Sequence, residues 1–175
     1  ADAGAKHDIA GAVNIRPTAE KGELVIFYAR KDNSAVVPGK DGRIPSPDDV
    51  VIKPNGTDNP TVDEITGNVT VPDGGEVVVP GVGVIVPPNG SIVKPDGTIV
   101  APDKEGRTDP GVTVDPAKPG ETTGYISVTY HANGGDGESY TQMAKDGESI
   151  TLIAVADRFK KLGFKGTGWN TNDKC

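Results

Sequence analysis

Few residues of this 175-residue chain have the type and spacing to do chemistry. Two histidines, His7 and His131, lie far apart, and no acid or serine nucleophile is placed beside either by a recognisable pattern. The one cysteine, Cys175, permits no intrachain disulfide, and one Cys with two distant His does not make a zinc site. Asp73, Asp96, Asp103 and Asp109 sit in turn sequences, where carboxylates bind Ca²⁺ weakly. Their spacing does not follow the EF-hand loop, and turn chemistry already accounts for them. Asn133-Gly134-Gly135-Asp136-Gly137 has the glycine content of a phosphate cradle. Phosphate loops lead into a helix N-terminus, whereas a strand pattern comes next here, so a turn is expected. No catalytic, cofactor-binding or metal-binding residue is therefore expected, and the chain reads as a non-enzyme that needs no cofactor. The side chains suited to recognition are Tyr125, Tyr140 and Trp169, each joining a large apolar ring to one polar handle.

The elements that would position these rings must be β. The chain has 24 Gly and 15 Pro, over a fifth of its residues, so long helices are nearly excluded. It also has 21 Val and 12 Ile but only 3 Leu, a usage that suits strands and argues against full disorder. Residues 1–34 contain one good strand, Glu23–Arg30, with Ala12–Ile15 as its partner. Two strands alone are marginal, so this segment reads as the tail of a preceding domain or an edge that docks on the proline-rich region beyond it. Residues 35–120 hold 14 of the 15 prolines. Here Val36-Val37-Pro38-Gly39 recurs as Val78-Val79-Pro80-Gly81, and Val51-Ile52-Lys53-Pro54-Asn55-Gly56-Thr57 as Ile92-Val93-Lys94-Pro95-Asp96-Gly97-Thr98. Val69-Thr70-Val71 recurs as Val112-Thr113-Val114, so the offsets are 42, 41 and 43 residues and imply two units of about 42. Pro-Asp-Gly and Pro-Asn-Gly turns alternate with clusters of three or four β-branched residues. That is the pattern of a short-strand meander or solenoid-like repeat; a polyproline linker would not need the valines.

From Gly124 the pattern changes. Tyr125–Ala132 alternates, with Ile126, Val128, Tyr130 and Ala132 on one face and Tyr125, Ser127, Thr129 and His131 on the other. Ser139–Ala144, Ser149–Ile153 and Phe164–Asn170 read as further strands, and Val155–Leu162 as one short helix closed by Gly163. Charge is divided the same way. Residues 36–124 carry 7 Lys/Arg and 14 Asp/Glu, while 141–175 carry 6 and 4. The acidic middle repels nucleic acid and anionic membrane, and no apolar run approaches a span, so neither nucleic acid nor membrane insertion is expected.

The run Ile126-Ser127-Val128-Thr129-Tyr130-His131-Ala132-Asn133-Gly134-Gly135, with Gly163-Phe164 and Gly168-Trp169-Asn170-Thr171 after it, resembles the Listeria–Bacteroides repeat. That family is the B-repeat module of internalin-like surface proteins, and the resemblance covers about 124–175. It implies a small β-grasp, a buried Trp169 and a place on bacterial surface proteins. His131 stands where the family usually has Asp, and Gly166 where it usually has an aromatic. The family's module continues beyond Gly-Trp-Asn-Thr, so a partial β-grasp with an open strand edge is expected. The expected fold is therefore all-β with one short helix: a short-strand repeat, then a partial β-grasp module. The expected role is a non-catalytic spacer of a bacterial cell-surface or secreted protein, presenting neighbouring domains. The alternative is an adhesion module binding a host protein or glycan.

Overall fold

The computed structural model describes residues 12–17, 24–40, 42 and 44–171, with the backbone alone for 12–17 and 24–29. Ala1–Ala3, His7 and Cys175 lie outside the described residues. The fold is all-β with very little helix, as expected from the Gly, Pro and Val usage. An eight-stranded sheet runs in the order β1 (Ala12–Pro17), β2 (Leu24–Ala29), β3 (Ala35–Val37), β4 (Val50–Lys53), β7 (Glu76–Val79), β8 (Gly83–Val86), β13 (Tyr140–Lys145), β12 (Tyr125–Tyr130). A five-stranded sheet runs β11 (Val112–Val114), β10 (Ile99–Ala101), β9 (Ile92–Val93), β6 (Val69–Thr70), β5 (Thr61–Val62). Every neighbouring pair is antiparallel except β8 with β13, which run parallel.

One core binds the two sheets face to face. Alternate residues of the larger sheet (Ala35, Val37, Val50, Ile52, Val77, Ile85, Met143) meet Val69, Val93, Ile99, Ala101 and Val114 of the smaller. Ile52, Val77, Val93 and Ile99 are fully buried. Each such side chain contributes about 1.5–3 kcal/mol. The strands are too short to be stable singly, so stability resides in this shared layer. The tight turns set the strand lengths. At Pro95-Asp96-Gly97 the Gly97 amide donates to the Lys94 carbonyl at 2.9 Å, and the Thr98 amide donates to Asp96 Oδ1 at 2.9 Å. Gly97 takes φ +83°, a value closed to proline and strained for most residues that carry a side chain. The Thr98 amide, first among the causes, holds the Asp96 carboxyl below the usual aspartate range.

The sequence repeat does not map onto two equivalent units. Val36–Val37 and Val78–Val79 fall on β3 and β7 of the large sheet, and Val69–Thr70 and Val112–Val114 on β6 and β11 of the small one. The remaining pair separates: Val51–Lys53 lies on β4 in the large sheet and Ile92–Val93 on β9 in the small one. A β-branched pair, a lysine and a Pro-Asx-Gly corner serve either sheet, because both need the same short strand and the same corner.

The opposite face of β7, β8, β13 and β12 carries a second core: Val84, Tyr130, Tyr140 and Phe159, with Val78, Val86, Val128, Ala132, Ile153 and Trp169 against it. The chain after β13 supplies this cover. Its only regular element among the described residues is α1 (Val155–Arg158). The expected helix to Leu162 stops four residues early because Phe159 turns extended and drops into the second core. Ser149–Ile153 and Phe164–Asn170 do not form strands. Side chains claim carbonyls there: Gln142 Nε2 donates to Thr151 O at 3.2 Å, and Trp169 Nε1 to Ile153 O at 2.7 Å.

The β8–β13 junction depends on Gly83. Its φ is +131°, and a Cβ there would collide with the Ser139 carbonyl, which accepts from the Val84 amide at 2.8 Å. Gly83→Ala is therefore expected to destabilise the chain by more than about 1 kcal/mol. Urea unfolding measures this, and an unchanged midpoint would contradict the junction.

Candidate functional site

The glycine turn and the Gly-Trp-Asn segment meet over the outer face of the β12–β13 hairpin. Asn133 (φ 46°) and Gly134 (φ 77°) reverse the chain after Tyr130. Beyond them the glycines act as a landing surface. A Cβ on Gly135 would sit 2.7 Å from the Lys160 carbonyl, and one on Gly137 would sit 2.8 Å from the Arg158 carbonyl and 2.9 Å from the Phe159 ring. The absence of side chains lets the backbones close into a bridge: the Asp136 amide donates to Lys160 O at 2.6 Å and the Lys160 amide to Asp136 O at 3.1 Å. The loop that has the composition of a phosphate cradle is thus filled by the chain's own backbone.

Phe159 and the segment after it then assemble an aromatic group. Tyr130 lies 4.7 Å from Trp169 and 6.1 Å from Tyr140 between ring centroids, and Phe159 meets Trp169 edge-on at 5.7 Å. Tyr130 donates its hydroxyl to Gln142 Oε1 at 2.6 Å. Burial is the largest cause raising the Tyr140 pKa, so its hydroxyl remains a neutral phenol. Arg158 stacks over the Tyr140 ring at 4.4 Å and pairs with Glu76 of β7, which also faces Lys53 at 3.7 Å. Burial lowers the Arg158 pKa. Glu76 is held among apolar strands because two cations neutralise it.

Two grooves flank the 163–169 segment. One, of about 1030 Å³, has Tyr130 and Trp169 in its lining with a rim of His131, Asn133, Asn170 and Thr171. The other, of about 960 Å³, is lined by Lys160, Lys161, Lys165, Leu162, Phe164 and Asp136 among others. His131 is exposed, and Ser139 Oγ lies 3.1 Å from its Nδ1. Among the described residues no group of three or more His, Cys, Asp or Glu converges as metal ligands. No helix there is long and apolar enough to cross a membrane.

The three aromatic candidates divide. Tyr140 is buried at 6% exposure and Trp169 is half-buried, and Tyr130 links them within the second core. Tyr125 packs instead against the first core, and its hydroxyl donates to Pro102 O at 2.5 Å. Burial, then Glu148 and Asp103, raises its pKa. The polar handles of Tyr125 and Trp169 are therefore committed to backbone carbonyls. The sequence pattern does not reveal the Glu76–Arg158 pair. Its one visible signal is an acid opening the otherwise apolar run Glu76-Val77-Val78-Val79.

Comparison of the chain with protein-family models, with curated proteins and with solved structures finds no match. The site stands on its own geometry.

Glu76→Ala removes the anion that ties the C-terminal layer to β7 and leaves Arg158 partly buried without it. A loss of about 1–3 kcal/mol is expected in urea unfolding, with a red shift of Trp169 emission as the layer loosens. Unchanged emission and stability would mean that the layer is held by the aromatic group alone.

Proposed function

We propose that the chain is a non-catalytic structural region of a bacterial cell-surface or secreted protein, serving to hold neighbouring domains apart. The carrying observation is the strand order. The first described strand, β1, forms one edge of the eight-stranded sheet, and the C-terminal hairpin strand β12 forms the other. Seven interstrand steps separate them, a width of about 34 Å. The sheet is braced on one face by the small sheet and on part of the other by the 150–170 segment. A spacer of this kind works by stiffness, and the shared core supports that reading better than a Pro-rich tether would. The partial likeness of 124–175 to surface-protein B-repeats agrees with an extracellular setting.

The test is an interlabel distance. Spin labels at Asn14→Cys and Ile126→Cys in a Cys175→Ser background should give a narrow distribution centred at about 34 Å by double electron–electron resonance. A broad distribution would remove the spacer reading.

A second reading, direct adhesion to a host protein or glycan, draws on the groove beside Trp169 with its Asn and Thr rim. It expects Trp169 emission to change on titration with host-surface oligosaccharides. A flat titration, with the indole already bonded to Ile153, counts against it.

A further inference from the structure

Three large apolar side chains stand out from the surface: Leu162 at 96% exposure, Ile65 at 81% and Phe164 at 73%. They fall in two patches of opposite charge. Leu162 and Phe164 lie in Arg158-Phe159-Lys160-Lys161-Leu162-Gly163-Phe164-Lys165, which has four cations and no acid. Arg158 is taken up by Glu76, while Lys160, Lys161 and Lys165 are exposed. Ile65 lies between β5 and β6 in the stretch 58–68, which has Asp58, Asp63 and Glu64 and no base.

Both tips are hydrogen-bonded turns. The Phe164 amide donates to Lys161 O at 3.0 Å, and Lys161 Nζ sits 5.0 Å above the Phe164 ring. On the other tip, Asp63 Oδ1 accepts from the Ile65 amide at 2.7 Å and from the Thr66 amide at 3.3 Å, and the Gly67 amide donates to Asp63 O at 2.8 Å. A preformed tip gives up little conformational freedom on docking.

The layering keeps the two patches of one molecule apart. The β5–β6 turn belongs to the small sheet, packed on one face of the large sheet; residues 158–165 belong to the segment that covers the other face. Like patches repel each other, since Lys160, Lys161 and Lys165 outnumber Asp136 at the basic tip and Asp58, Asp63 and Glu64 make the other stretch acidic. Unlike patches of two copies match in both charge and apolar character.

We propose that the basic Lys160–Lys165 tip of one copy docks on the acidic Asp63–Gly67 turn of a second copy, head to tail. The contact is heterologous, so each copy added leaves one free patch of each kind and the assembly extends. A contact built on two tips is small, with a dissociation constant on the order of 100 µM. Such a contact acts where copies are concentrated.

Sedimentation velocity on the whole chain tests this across about 10 µM to 1 mM. The average mass should rise with concentration, and salt at about 0.5 M should suppress the rise. Lys160→Glu/Lys161→Glu and, separately, Glu64→Lys should each weaken self-association at least about tenfold, or about 1.4 kcal/mol. All three positions are exposed, and unchanged circular dichroism and melting would confirm intact folds. Mixing the two variants should restore association, because each retains one native patch. A wild-type chain that stays monomeric throughout overturns the proposal, as does a pair of variants that associate like wild type. Phosphatidylserine vesicles supply a further arm: vesicle binding lost in Leu162→Ser/Phe164→Ser, with no self-association in solution, would assign the tip to lipid and overturn the second copy as its occupant.

Discussion

The parallel pairing of β8 with β13 is the constraint on which the rest depends. Without it the proline-rich strands and the C-terminal hairpin would be two thin assemblies, each with an unpaired edge. With it they share one sheet, and that sheet offers both faces for burial. Met143 and Tyr125 then reach the core between the sheets, while Val84, Val86 and Val78 reach the aromatic group on the other side. A single glycine at 83 allows the approach, since the Ser139 carbonyl occupies the space a side chain would need. Two polar links cross the same boundary, Tyr125 to Pro102 and Arg158 to Glu76.

The outer layer shows how so few large residues can close a face. Among the described residues Trp169, Phe159 and two tyrosines gather over valines, and glycines at 135 and 137 let the covering backbone descend to hydrogen-bonding distance. The layer needs almost no regular secondary structure, because tyrosine, glutamine and tryptophan side chains anchor it. This is an economical way to bury a sheet in a chain whose aromatic content is only 5%. It also explains why the recognition-suited rings are largely turned inward, with the donors of Tyr125 and Trp169 occupied.

Much of the local structure is legible in the sequence, and the long-range structure is not. The strands at Leu24–Ala29, Tyr125–Tyr130 and Tyr140–Lys145 come from alternation and β-branching. The Pro-Asx-Gly corners come from the φ demands of tight turns. The alternation of Val128, Tyr130 and Ala132 marks the covered face of β12. Sequence periodicity does not encode which valine cluster faces which. Val51–Ile52 and Ile92–Val93 are interchangeable by composition, yet they lie in different sheets. Propensity alone extends the helix to Leu162, because the burial of Phe159, a tertiary effect, is invisible locally. Ser149–Ile153 has strand residues but no strand, since its carbonyls go to side chains that only the folded chain brings near.

The separation of β8 and β13 along the chain bears on how the molecule forms. Most neighbouring pairs here are hairpins or near-hairpins that close over a short stretch. The Val84–Tyr140 register instead spans the whole of β9 to β12. Closing so long a loop costs entropy before any contact repays it, and parallel pairs are slow to form for that reason. By loop entropy alone the local hairpins, the β12–β13 hairpin among them, close before β13 reaches β8. Until it does, β8 is an unguarded valine-rich edge, open to the wrong neighbour. The chain is most vulnerable to misassembly in that interval, and conditions that shorten it favour the native sheet.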